Sequence, residues 1–152
     1  MSSIICKGTK AKISKELAAK ARSALEKQHY EIGLQQKQQD GAAPFIFLDK
    51  EDDEVKAAMD AFQTGFGQSE SISLSWGEAM VFHQSSSPTT SKPFPSRYLG
   101  LLPLSDDCVL PNGQTAEQGQ GYWWDGRVAV EWKCEGYHIG FSFPRERKTV
   151  PE

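Results

Sequence analysis

The sequence predicts an α+β fold, with two helices set among short strands in the first half and an antiparallel β-rich second half. Three observations carry this expectation. Val55, Ala58, Met59 and Phe62 recur at i, i+3, i+4 and i+7, the apolar stripe of a helix. Val128, Val130 and Trp132, then Tyr137, Ile139, Phe141 and Phe143, alternate with more polar neighbours at strand period. Between the halves, Pro88, Pro93 and Pro95 stand among serines and threonines, the composition of a surface loop.

Taken in order, Ser3-Ile4-Ile5-Cys6 is a short apolar run ended by Gly8 and reads as a first strand. Ser14 is placed to cap a helix whose apolar positions Leu17, Ala21, Ala24 and Leu25 hold an approximate 3.6 spacing to about Gln28. Tyr30, Ile32 and Leu34 alternate with Glu31 and Gly33, which predicts a strand, and the polar run from Gln35 to Gly41 predicts its turn. Phe45-Ile46-Phe47-Leu48 is continuously apolar, as in a central strand. Acidic residues from Asp49 to Asp53 then precede the second helix, where the macrodipole favours negative charge, and Gly65 is placed to end it. Ser71–Ser75 and Ala79–Phe82 are further strand candidates, Tyr98–Leu102 resumes apolar order, and Gln114–Gly121 reads as loop. The last two alternating segments, separated near Glu135-Gly136, are expected to pair as a hairpin.

The order through residue 83 is β-α-β-β-α-β, a split βαβ arrangement, continued by an antiparallel β meander or hairpin. We expect one α+β domain over 1–152: a βαββαβ-like part at 1–83, a Pro/Ser-rich loop at 84–96, a β-rich part at 97–143 and a polar tail at 144–152. Such a chain can bury roughly two-thirds of its unfolded surface, whereas neither half alone offers a comfortable core.

Phe45-Ile46-Phe47-Leu48, the acidic helix start and Val55-Ala58-Met59-Phe62 resemble the third strand and second helix of the RNA-recognition motif. The resemblance implies base stacking on exposed aromatics of the first and third strands. Here the first strand offers Ile4 and Ile5, Ala43 stands where the third strand's first aromatic belongs, and only Phe45 is suitably placed. Nucleic acid is therefore not an expected partner.

Net charge is −3, unevenly spread. Residues 1–29 carry seven basic groups against Glu16 and Glu26, and the remainder carries ten basic against eighteen acidic. A basic helix facing an acidic remainder is an ordinary solvated surface, and it could also meet an acidic partner. Cys6, Cys108 and Cys134 make an odd, widely spaced set, and no apolar run is long enough to cross a bilayer, which points to a soluble, cytoplasmic setting. Cys134 and His138 flank the expected turn, yet Cys6, Cys108, His29 and His83 complete no zinc pattern with them. No metal and no cofactor is expected. No P-loop, dinucleotide fingerprint or G-x-S-x-G occurs.

The densest chemical signal is Tyr122-Trp123-Trp124-Asp125. Neighbours in a strand face opposite ways, so Trp123 and Trp124 cannot enter the same core. One of them is expected in a second core, a pocket, an interface or solvent. Tyr122, Trp123, Trp124, Asp125, Arg127 and Trp132 are the expected contact residues of a non-catalytic binding module, whose partner is a protein or a small apolar or aromatic ligand. The alternative is a small cofactor-free enzyme of proton-transfer, isomerase or hydrolase type with an aromatic-lined pocket. Its acid–base candidates are Glu131 and His138, with Glu78, His83, Arg97 and Asp125 able to join them from loops.

Overall fold

The structure, a computed structural model, describes residues 6–35, 45–70, 79–84, 89–90, 96–105, 108–110, 113–127 and 131–144. Its elements in chain order are β1 (Cys6–Lys12), α1 (Lys15–Gln35), β2 (Phe45–Leu48), α2 (Asp53–Glu70), β3 (Met80–Gln84), β4 (Thr89–Thr90), β5 (Arg97–Pro103), β6 (Cys108–Val109), β7 (Thr115–Ala116), β8 (Gln120–Asp125), β9 (Glu131–Cys134) and β10 (Gly136–Pro144). The class is α+β, as the patterning predicts.

All strand pairs are antiparallel, in a six-stranded sheet ordered β1-β8-β5-β10-β3-β2 and a four-stranded sheet ordered β4-β9-β6-β7. From β3 onward the chain divides eight strands between the two sheets, in the manner of a double-sheet jelly roll. One face of the large sheet carries α1 and α2. The other meets the small sheet, where Leu110 and Ala116 pack against Phe82, Leu101, Tyr122 and Trp124.

Both helices begin on a side-chain cap. The Leu17 amide donates to Ser14 Oγ at 3.0 Å, and Asp52 Oδ1 accepts from the Glu54 and Val55 amides at 2.9 and 3.4 Å. The second stripe buries as its spacing requires: Val55, Ala58, Met59, Phe62 and Phe66 all lie in the helix-facing core. Ala18, Ala21 and Leu25 of α1 join them there, with Phe141 and Phe143 from β10.

Several expectations give way to tertiary context. Tyr30–Leu34 belongs to α1, which continues to Gln35 because contacts from Gln28 and His29 to the sheet favour the helix over a period-2 pattern. Gly65 lies inside α2 and does not end it; a Cβ there would come within 3.1 Å of the Ala11 methyl, so its smallness lets α2 approach β1. The Pro/Ser-rich loop and the segment from Gln114 contribute the short strands β4 and β7. Most consequentially, β9 and β10 do not pair. β9 lies between β4 and β6, while β10 lies between β5 and β3. Glu135 alone separates β9 from β10, which is too short for even a two-residue hairpin. The chain instead crosses from one sheet to the other through Gly136, at φ 119°. The first half is also rearranged relative to an RNA-recognition motif, because β1 and β2 stand at opposite edges of the large sheet. The expected strand Ser71–Ser75 lies outside the described residues.

Candidate functional site

Strand parity decides where the aromatic segment goes. Tyr122 and Trp124 point between the sheets and are each 3% exposed. Trp123 points to the helix side, partly buried, with its ring 5.0 Å from Tyr98 and 5.4 Å from Phe143. The two tryptophans thus enter two different cores, one of the outcomes their adjacency allows. The Tyr122 hydroxyl accepts from the Glu117 amide at 2.8 Å and donates to Gln120 Oε1 at 3.2 Å, which holds the turn before β8. Asp125 accepts from the Arg127 amide at 2.9 Å, and its Oδ2 takes both Nε and Nη2 of that guanidinium, at 3.0 and 2.7 Å. Trp132 and Glu131 are on β9, and their side chains lie outside the described set.

His138 is fully buried on the inter-sheet face of β10, with its ring 5.6 Å from Phe82. Because β9 and β10 belong to different sheets, Glu131 and His138 are not neighbours across a strand pair. Arg97 also leaves the loop assigned to it: it opens β5 and donates from Nε to Ser142 Oγ at 2.8 Å and from Nη2 to the Ser142 carbonyl at 3.3 Å. Glu78 lies outside the described residues. Among the described residues no three His, Cys, Asp or Glu side chains converge as a metal site requires.

Two features appear that sequence reasoning did not assemble. The first is a cluster of His29, His83 and Tyr137, half-buried on the helix side of the sheet. Tyr137 and His83 are register partners on β10 and β3, with ring centroids 4.8 Å apart. His29 descends from α1 to place Nδ1 2.8 Å from the Tyr137 hydroxyl and its ring 4.4 Å from that of His83. Burial lowers the His83 imidazole from its ordinary value, His29 adds to this, and Glu135 opposes it. Burial and then Glu26 raise the Tyr137 phenol.

The second feature is an open groove of about 470 Å³ where β2 runs into α2 and β3 begins. Leu48, Ala79, Met80 and Val81 supply apolar wall, and Asp49, Lys50 and Glu51 form the charged rim. Met80 is 52% exposed although large and apolar. The Lys50 ammonium donates to the Ala79 carbonyl at 3.2 Å, joining the two sides.

No protein-family model and no curated protein matches this sequence. The fold is similar to that in the crystal structure of a Pseudomonas putida prolyl-4-hydroxylase, with TM-score 0.52 and 10% identity over 95% of this chain and 94% of that one. At that identity the likeness concerns the fold alone.

The groove residues include the acidic run after β2, visible in the sequence as a helix start, but Met80 read simply as strand. The cluster draws on positions 29, 83 and 137, and only the register of β3 with β10 brings them together.

Proposed function

We propose that the chain is a non-catalytic binding module that recognises a protein partner at the groove between the β2–α2 turn and the start of β3. The observation that supports this reading is Met80, half-exposed in a groove it shares with Leu48, Val81 and the charged residues Asp49–Glu51. Exposed methionine adapts its shape to an incoming side chain. The Asp49 and Glu51 carboxylates, the second 3.5 Å from the Lys56 ammonium, favour an occupant whose apolar residue is flanked by lysine or arginine. Tyr122, Trp123 and Trp124 serve in this reading as the frame. Tyr122 and Trp124 hold the sheets together, and Asp125 with Arg127 ends β8.

The test is a synthetic peptide with one leucine between lysines, titrated into the chain and followed by amide chemical shifts. Shifts should gather at Leu48–Glu51 and Ala79–Val81, and Met80→Lys should weaken binding at least about tenfold, or about 1.4 kcal/mol. Shifts gathered instead around Arg127 and the small sheet would return the contact to the aromatic β surface.

A second reading, a small enzyme with an aromatic-lined pocket, draws on the hydroxylase-like fold and on His138 facing the same inter-sheet core as Phe82, Tyr122 and Trp124. A small aromatic ligand entering there would perturb Trp124 emission, and no perturbation across an aromatic fragment panel would remove it. No helix among the described residues is long and apolar enough to cross a membrane. Together with the odd cysteine set this supports a soluble, reducing setting such as the cytoplasm.

A further inference from the structure

Two consecutive residues fasten α1 to the sheet beyond its apolar stripe. Gln28 exchanges two hydrogen bonds with the backbone of Asp49: Nε2 donates to the carbonyl at 3.2 Å and Oε1 accepts from the amide at 2.8 Å. His29 reaches the Tyr137 hydroxyl at 2.8 Å and lies against His83. One short stretch of helix therefore touches β3, β10 and the turn that rims the groove.

The chemistry at this point is sensitive to protons. Two imidazoles whose ring centres are 4.4 Å apart accept one positive charge, but a second places like charges in near contact in a half-buried setting. The groups acting on the pair come from each side of it. Glu135 at the start of β10 favours the charged form of His83, whereas burial and His29 disfavour it. Burial and then Glu26 on α1 raise the Tyr137 phenol, whose hydroxyl lies 2.8 Å from His29 Nδ1. With both rings charged, His29 Nδ1 can only donate to the Tyr137 oxygen, and two like charges stand 4.4 Å apart between ring centres.

We propose that His29, His83 and Tyr137 form an acid-operated latch, in which protonation of both imidazoles frees the second half of α1 from the sheet and, through Gln28, loosens the Asp49 turn. The effect on the groove rests on the docking reading above; the release of α1 does not.

The decisive experiment is hydrogen exchange on the full chain at pH 7.5 and 5.0, corrected for intrinsic rates. Protection should fall at least tenfold at residues 26–31 and 48–51, and by clearly less in α2. In His83→Asn the second charge cannot form and that fall should vanish. Tyr137→Phe should lower protection at both pH values and leave the acid response in place. Equal loss in α1 and α2, or an acid response that survives in His83→Asn, overturns the latch. Should the variant not fold, imidazole proton shifts of the wild type decide the matter. Coupled titration of His29 and His83 that tracks the α1 exchange supports the latch, and independent titration with α1 unmoved refutes it. Release of α1 in a chain that binds no peptide at any pH would remove the docking reading alone.

Discussion

The two faces of the large sheet are made from the same strands yet are chemically unlike. On the helix side, Phe62, Phe66, Phe141 and Phe143 form a continuous ring cluster with centroid separations from 5.3 to 6.5 Å. Ala18, Ala21 and Ala58 of the helices pack into the same core, which leaves room for these rings. Between the sheets, Phe82, Leu101, Leu110, Ala116 and Trp124 share their core with the Tyr122 hydroxyl, and His138 is enclosed on the same side. The first face is packed mainly by apolar contact; the second encloses a fully buried imidazole as well and must satisfy it. Parity alone separates them, since Val81 and Phe82, Leu102 and Leu101, and Trp123 and Trp124 go to opposite sides.

The adjacent tryptophans offer the strongest way to break this comparison. Trp124→Ala empties the centre of the inter-sheet core and should cost about 3–5 kcal/mol. Trp123→Ala should cost clearly less, because Trp123 is only partly buried at the margin of the helix-side core. Urea denaturation of both variants measures the difference. Equal losses would mean that the two faces do not differ in how tightly they enclose their aromatics.

Next in size is Gly100→Ala on β5. A Cβ built there would fall 2.2 Å from the Phe141 ring, far inside contact distance. The ring cannot withdraw without disturbing Phe62 and Phe66 at 5.3 and 5.9 Å, so a loss of about 1–3 kcal/mol is expected. Restoration by Phe141→Leu in the same chain would assign the loss to this contact, and failure of that rescue would assign it to the strand backbone.

How far this could be read in advance depends on the range of the interaction. The stripe Val55, Ala58, Met59 and Phe62 is local, and all four bury. So is the rule that Trp123 and Trp124 must diverge, which left a second core, a pocket, an interface or solvent as the place for one of them. Strand alternation in Val128–Trp132 and Tyr137–Phe143 is local as well, but period two says nothing about which strand lies alongside. The one-residue link at Glu135 forbids the hairpin that nearness in sequence suggests. For the same reason the site was the least legible part. His29, His83 and Tyr137 belong to no motif, and Met80 becomes a groove residue only once β2 lies beside β3.

Acid and base sharpen the comparison on the helix side, at the edge where that face is no longer dry. The unfolded chain protonates His83 near pH 6.5, and the folded chain only below that. Its contribution to stability is therefore complete above pH 6.5 and is lost as pH falls through the lower folded value. Tyr137 works at the opposite end. Its folded phenol ionises above the ordinary 10.0, so its contribution is complete below pH 10 and is lost as pH rises through the higher folded value. Urea midpoints between pH 5 and 11 should fall at both ends. His83→Asn should flatten only the acid limb and Tyr137→Phe only the alkaline one. A variant that flattens the other limb would show that the two groups are not acting as separate titrations.

The smallest expected effect on stability belongs to Met80→Lys, and it bears most directly on function. Met80 begins β3 at the groove, outside both cores, and is 52% exposed. Replacing it should change stability by no more than about 0.5 kcal/mol, as for other surface substitutions. The added ammonium would face the Asp49–Glu51 rim, so the variant should fold normally while losing affinity for a lysine-flanked apolar peptide. The pairing of the two measurements matters more than either alone. A stability loss above about 1 kcal/mol would identify Met80 as support for the end of β3, and the groove would then be a gap in packing, not a contact surface.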